Sequence, residues 1–242
     1  MGLGKAFAEI LAGDGWGLVT VDRKPDTRGN ASGPAGTQLH CDLSDPVRVA
    51  KLLDELKKVE GFDLVILNAG ASATGRFEAI DPDVIPRLVH LNAFAPMALA
   101  AGLAGAGKLN AGSNLLFISS LSHFTGYPGA SAYAATKDAI AIYAKSIRKP
   151  FAGRGIAVSC AFPGPLRTAH AERHAPKGAK AERRMAPEDA AARILAATFA
   201  GVKTIVPGAG PRLFSIAGRG FPGGMARAMR RLIYDKLDRE VW

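Results

Sequence analysis

Residues 115–137 read LLFISSLSHFTGYPGASAYAATK, and the order of events along this stretch decides the fold. It opens on the apolar run Leu115 to Ser119, which has no polar alternation and so suits a strand buried on both faces. Ser120 closes the run. A loop carrying His123, Phe124 and Tyr127 leads to Ser131, where an amphipathic helix starts and continues through Ile147. Tyr133 and Lys137 stand four residues apart on that helix, hence on one face.

Outward from this stretch the same alternation recurs. Leu18 to Asp22, Leu39 to Asp42, Leu64 to Asn68, Ile156 to Phe162 and Thr204 to Val206 are short, Val/Ile/Leu-rich and strand-like. Helical patterns lie between them. Pro46 to Val59 has Ser44 as its expected N-cap, Pro46 in its first turn and Gly61 as its stop. Asp81-Pro82 repeats the start signal ahead of a helix that tolerates, or bends at, Pro86. Strands alternating with helices predict an α/β fold: a doubly wound parallel sheet in three α/β/α layers. Residues 1–242 contain no linker or repeat that would divide them and read as a single domain.

Composition agrees. The 242 residues are 48% hydrophobic and 21% charged, a globular balance with enough chain for one good core. Cys41 and Cys160 lie in strand-like runs and read as buried, reduced thiols, which points to a cytoplasmic protein. Neither a signal peptide nor an apolar run long enough to cross a bilayer is expected. The net charge of +10 gathers in Arg167, Arg173, Lys177, Lys180, Arg183 and Arg184, and again in Arg219, Arg227, Arg230 and Arg231. Aromatic residues are sparse there, so a solvated basic face is expected and nucleic acid is not.

The chemistry centres on Ser120, Tyr133 and Lys137. An ammonium beside a phenol lowers its pKa from about 10; reaching neutrality takes about 4 kcal/mol, at roughly 1.4 kcal/mol per unit. A tyrosine so tuned passes a proton to or from a substrate oxygen, and a serine hydroxyl nearby orients that oxygen. At the N-terminus, Gly2-Leu3-Gly4 stands in front of a helix, Phe7 to Ala12. Small residues and free helix N–H groups are what a pyrophosphate needs.

These motifs together resemble the short-chain dehydrogenases/reductases over essentially the whole chain. Gly2-Leu3-Gly4 matches the end of that family's Thr-Gly-x-x-x-Gly-x-Gly loop, Asp42-Leu43 its adenine element, and Asn68-Ala69-Gly70 its Asn-Ala-Gly element. Asn92, Ser120, Tyr133 and Lys137 match its catalytic tetrad, and Pro163-Gly164 followed by Thr168 matches its segment over the nicotinamide. The resemblance implies a Rossmann-like fold and an NAD(P)-dependent oxidoreductase that moves a hydride between nicotinamide and a ketone or secondary alcohol. It implies Tyr133 as acid/base, Lys137 on the nicotinamide ribose and lowering the tyrosine pKa, Ser120 positioning the substrate oxygen, and Asn92 holding a water in a proton relay. Cofactor contacts are implied for Gly2, Leu3, Gly4, Asp22, Arg23, Asp42, Leu43, Asn68, Ala69, Gly70, Tyr133, Lys137, Pro163, Gly164 and Thr168. Asp22, ending the second strand, favours NAD through its ribose hydroxyls; Arg23 and Lys24 would suit the 2′-phosphate of NADP. Homodimers or homotetramers are usual in the family.

The chain departs from the family at both ends. The family has a strand and a Thr-Gly ahead of Gly2, and in its strand order 3-2-1-4-5-6-7 that strand is central. Its absence predicts unpaired backbone groups on the two flanking strands, at about 1–3 kcal/mol each when buried, and an incomplete phosphate cradle. A truncated or misplaced start is the expected cause. The alternatives are a sheet that closes up, or a catalytically impaired protein serving as a scaffold or membrane-associated binding module. The other departure is a basic amphipathic tail, about 219–242, with Met225, Met229, Leu232, Ile233 and Leu237 at helical spacing. Packing on its own domain or on another subunit is expected for it, with peripheral contact to an anionic membrane as the alternative. His170 and His174 are four apart, but two histidines without the His-Glu-x-x-His spacing assign no metal.

Overall fold

The computed structural model describes residues 2–24, 36–174, 182, 184–237 and 241. Lys177, Lys180 and Arg183, three members of the first basic cluster, lie outside them.

The sheet is built round β4 (Leu109–Ile118), which pairs in parallel with β3 (Phe62–Leu67) on one side and β5 (Ala157–Ala161) on the other; β6 (Thr204–Ile205) lies beyond β5. A period of two sends alternate side chains to opposite faces. Leu115 and Phe117 of β4 enter one core with Val65 and Leu67 of β3. Leu116 and Ile118 enter the other with Leu64 and Ile66. Both faces are apolar, as the unalternating sequence runs require.

Helices cover each face. The first core is closed by α2 (Pro46–Leu56), α4 (Ala95–Gly105) and α6 (Ser131–Ala152), which contribute Leu52, Leu99 and Ile140. The second is closed by α1 (Leu3–Gly13) and α8 (Pro187–Phe199), through Phe7, Leu11, Ile194 and Leu195. This is the expected three-layer α/β/α arrangement.

Three local expectations change. The N-cap of α2 is Asp45, not Ser44: its carboxylate accepts from the Val47 and Arg48 amides, while Ser44 turns back to Asp42. β4 starts six residues before Leu115, because Leu109 pairs with Phe62 across an irregular register in which Gly112 takes φ 84°. The polar and glycine residues of that bulge hide the strand from a hydropathy reading. Third, α3 (Val84–Val89), a π-helical turn at His90–Phe94 and α4 run on as one helix, Val84–Gly105, long and apolar enough to cross a membrane. Half of its most apolar window is buried inside the fold, where Leu99, Ala100 and Leu103 serve the first core. The C-terminal segment is helical, as its spacing leads one to expect. It forms α9 (Ala209–Gly220) and α10 (Pro222–Leu232), and Val241 closes an antiparallel bridge with Thr74.

The sheet is not continuous. β1 (Val19–Asp22) pairs in parallel with β2 (Thr37–His40) alone, and β3 pairs with β4 alone, among the described residues. Each therefore keeps one unpaired edge there, and both edges line the same cleft. Val19, Val21 and Leu64 to Leu67 are only part-buried, whereas Leu115, Leu116 and Phe117 of β4 are 0% exposed. β4, flanked by a strand on each side, is the better covered.

Candidate active site

The C-terminal ends of β1, β3 and β4 open into one cleft of about 2800 Å³. Ser119 and Ser120 lie just past the end of β4, where the chain meets α6. Ser119 Oγ donates to the Lys137 carbonyl at 2.8 Å, and Lys137 Nζ donates to the Ile118 carbonyl at 2.9 Å. These two cross-links hold the first turns of α6 against the strand end, so that Tyr133 and Lys137 share a wall of the cleft with Ser120.

Burial dominates the electrostatics. Lys137 is 5% exposed, and desolvation of its ammonium pulls its pKa down to about 8. Burial pushes the Tyr133 phenol up, and a hydrogen bond from Ser120 opposes that rise. The expected lowering of Tyr133 by Lys137 is therefore not the controlling effect here. The ammonium sits 5.9 Å from the Tyr133 ring centroid, and its hydrogen bond goes to a backbone carbonyl.

Asn92 sits behind the cleft wall, with its Oδ1 and Lys137 Nζ both beside Gly70. It is buried in the π-helical turn and does not line the cleft. Its Nδ2 donates to the Ala71 carbonyl at 2.9 Å and to Thr136 Oγ1 at 3.0 Å, and its Oδ1 accepts from the Ala71 amide at 2.9 Å. Both amide hydrogens are thus spent, which leaves no side-chain donor for a water. Thr136 Oγ1 in turn donates to the Tyr133 carbonyl at 2.7 Å. Asn92 therefore ties the end of β3 to the helix that carries Tyr133. A wider π turn at such a junction is a common local device of functional sites.

The remaining site residues from the sequence do gather. Gly2, Leu3, Gly4, Asp22, Arg23, Asp42, Leu43, Asn68, Ala69, Gly70, Pro163, Gly164 and Thr168 all line the cleft. Gly2 caps α1 with no side-chain hydrogen bond at φ 133°, leaving the first helical N–H groups free to meet an anion. Gly4 packs so closely on Asn68 that a Cβ would fall 2.6 Å from its Nδ2. A Cβ on Gly70 would fall 3.0 Å from Lys137 Nζ and 3.2 Å from Asn92 Oδ1. Asp22 is exposed, with its Oδ1 accepting from the Lys24 amide at 2.9 Å. Asp42 accepts from both the hydroxyl and the amide of Ser44, which holds its carboxyl below its ordinary value. Thr168 caps α7 (Ala169–Arg173) through the Ala171 amide.

Of the loop between Ser120 and Tyr133, only Tyr127 of the three expected residues reaches the cleft. His123 pairs with Asp138 at 2.9 Å, and Phe124 packs against Phe162. Sequence reading missed Ser119, Thr136 and a second polar group at the cleft: Thr74 Oγ1 and His174 Nδ1 at 2.7 Å, with the Tyr127 hydroxyl donating to the His174 carbonyl at 3.5 Å. Desolvation pulls His174 down to about 4. Its ring lies 4.5 Å from that of His170, and no group of three or more potential metal ligands gathers among the described residues. Only the doubled serine at a strand end was a readable signal; the Thr74–His174 pair spans 100 residues.

A cleft at the strand ends of a parallel sheet, with a helix N-terminus on one side and a Ser-Tyr-Lys wall on the other, is the architecture of the doubly wound α/β class. The chain belongs to the short chain dehydrogenase family, whose pattern it matches over residues 1–178. It is 32% identical over 179 residues to Protein FixR of Bradyrhizobium diazoefficiens, covering 69% of this chain and 64% of FixR. It is 31% identical over 180 residues to the Bos taurus dehydrogenase/reductase SDR family member 7B, covering 69% of this chain and 55% of that protein. The match thus spans less than two thirds of either relative. Among solved structures, a short-chain dehydrogenase from Sphingobium yanoikuyae in complex with NADPH superposes with a TM-score of 0.75 at 25% identity, over 93% of this chain and 91% of that one. One from Streptomyces avermitilis shares the fold at a TM-score of 0.80 and 23% identity, over 95% and 92%.

Proposed function

We propose that this chain is an NAD(P)-dependent oxidoreductase that interconverts a ketone and a secondary alcohol, with Tyr133 as the acid/base. The observation that carries this reading is the shared wall of Ser120, Tyr133 and Lys137 in a cleft whose far side is a free helix N-terminus. The residues fit a dinucleotide: the uncapped start of α1 for the pyrophosphate, Asp22 for the adenosine ribose, and the bare Cα of Gly70 beside Lys137 for the nicotinamide ribose. When bound, the cofactor supplies or accepts the hydride.

The chain's own residues handle the oxygen. Ser120 donates to the substrate oxygen and orients it. Tyr133 gives that oxygen its proton during reduction and removes it during oxidation. The hydrogen bond from Ser120 opposes the raised value that burial imposes on the phenol, and a bound oxidised nicotinamide would add positive charge that favours the phenolate. Replacement of Tyr133 by Phe should reduce NAD(P)H-linked turnover across a ketone and alcohol panel by about 10²–10⁴-fold. Unchanged turnover in that variant would sink the assignment.

The exposed carboxylate of Asp22 at the end of β1 supports NAD as the preferred cofactor. Arg23 beside it, and the NADPH bound by the Sphingobium relative, support NADP as the second reading. Asp22→Ala should raise NADP over NAD in the ratio of kcat/KM; an unchanged ratio removes Asp22 from the choice.

A strand set between β1 and β3 would raise cofactor affinity. The unpaired edges of both strands and their half-buried valines, leucines and isoleucine support this. So does the size of the cleft, since small-molecule sites usually occupy about 300–1,000 Å³.

A further inference from the structure

The C-terminal helices turn a different face outward from the one their sequence suggests. The stripe of Met225, Met229, Ile233 and Leu237 is only part-exposed and faces the body of the protein. Ile233 and Leu237 lie 2.8 and 3.4 Å from where a Cβ on Gly129 would sit. The most exposed apolar groups belong to α9 and the turn after it, although Leu232 of α10 is also 55% exposed. Leu213 is 67% exposed, Ile216 65% and Phe221 78%. Leu213 and Ile216 are three apart, on one side of the helix. The opposite side is anchored: Ser215 and Gly218 are buried, a Cβ on Gly218 would fall 2.0 Å from the Phe124 carbonyl oxygen, and the Arg219 guanidinium lies 4.6 Å from the Phe124 ring centroid. The helix is therefore held with its apolar side toward solvent.

The same segment is strongly basic. Residues 209–237 hold Arg212, Arg219, Arg227, Arg230, Arg231 and Lys236 against one carboxylate, Asp235. Arg227, Arg230 and Arg231 are exposed, and among the described residues their one ion pair is Arg230 to Asp235 at 3.6 Å. α10 follows Phe221 directly and packs beside α9, so one pair of adjoining helices carries both the cations and the exposed apolar group.

We propose that this face docks on an anionic lipid surface, with Leu213, Ile216 and Phe221 entering the headgroup boundary and the α10 arginines meeting lipid phosphates. Charge decides the partner. A second copy would bring the same cations to the contact and repel it, and a nucleic acid would leave the three apolar side chains without a partner. An anionic bilayer satisfies both components at once: apolar area is buried and basic charge is neutralised. The inference does not depend on the oxidoreductase reading.

Cosedimentation of the chain with vesicles tests it. Binding to phosphatidylcholine/phosphatidylglycerol vesicles, little binding to pure phosphatidylcholine, and weakening as salt rises are expected. The double variant Arg230→Gln/Arg231→Gln should lower the partition coefficient about 10-fold or more. Leu213→Ser/Ile216→Ser should lower it as well, which a purely electrostatic attraction would not produce. All four positions are exposed, so thermal melts of the variants should match the parent. No binding to the anionic vesicles at low salt overturns the proposal. So does undiminished binding by the apolar double variant, or a duplex DNA complex or a dimer that these variants abolish in place of vesicle binding.

Discussion

His174 is a small case of how one residue carries a pH dependence. Its Nδ1 is bonded to Thr74 Oγ1 and the residue is 8% exposed, so protonation is resisted and the pKa falls to about 4 from an ordinary 6.5. Between those values the unfolded chain binds a proton that the folded chain does not. Stability from this residue is therefore full above pH 6.5 and lost as pH falls toward 4. His174→Gln, which keeps a polar partner for Thr74, should flatten the fall in Tm over that window. An identical Tm-against-pH curve in parent and variant would remove His174 from the account. Lys137 has the same sign at the other end. With a folded pKa of about 8 against 10.5, its contribution makes stability rise between pH 8 and 10.5. That a buried lysine is kept at all, against a desolvation penalty, fits a site that uses its ammonium.

At the scale of the element, close approach of backbones settles where α9 sits. Gly218 lets α9 lie directly on the Phe124 carbonyl, and nothing flexible stands between them to yield. Gly218→Ala should destabilise the chain by about 1–3 kcal/mol, at roughly 2–4 °C of Tm per kcal/mol for a chain of this length. Gly220→Ala, which meets nothing within 4 Å, is the matched control and should leave Tm nearly unchanged. Scanning calorimetry distinguishes the two, and equal melts for both variants would show that α9 is not held this way. The π turn at His90–Phe94 is the second element-scale feature. It lets Asn92 reach both Ala71 and Thr136 from a helix that otherwise packs as an ordinary core helix.

At the scale of the whole molecule, the divided sheet is the main feature. β2-β1 and β3-β4-β5-β6 share helical layers but, among the described residues, no ladder joins β1 to β3 across the gap between them. A strand set between them would pair two edges and cover the half-buried side chains on both. A chain extended ahead of Met1 by an apolar strand should bind NAD(P)H more tightly and melt several degrees higher, each added ladder bond contributing about 0.5–1.5 kcal/mol. Equal affinity and equal Tm with and without the extension would refute the need for it.

The elements of the fold were legible in the sequence because period and punctuation are local. The Val/Ile/Leu runs, the glycine and proline stops and the strand–loop–helix order of residues 115–137 each depend on neighbours a few positions away. The lining of the cleft was legible where its residues sit in short motifs: Ser120 with Tyr133 and Lys137, Asn68-Ala69-Gly70, and Gly2-Leu3-Gly4. Tertiary structure alone decided the features that depend on distant partners. The ten-residue length of β4 comes from pairing with Phe62. Asn92 spends its amide hydrogens on Ala71 and Thr136, partners 21 and 44 residues away. The pKa of Tyr133 answers to burial and Ser120 before Lys137, because desolvation is a property of the whole wall and not of a four-residue spacing. The C-terminal stripe shows the same limit: helical periodicity identifies it, but packing determines that Met225, Met229, Ile233 and Leu237 are partly covered while Leu232 and the α9 residues Leu213 and Ile216 stay exposed.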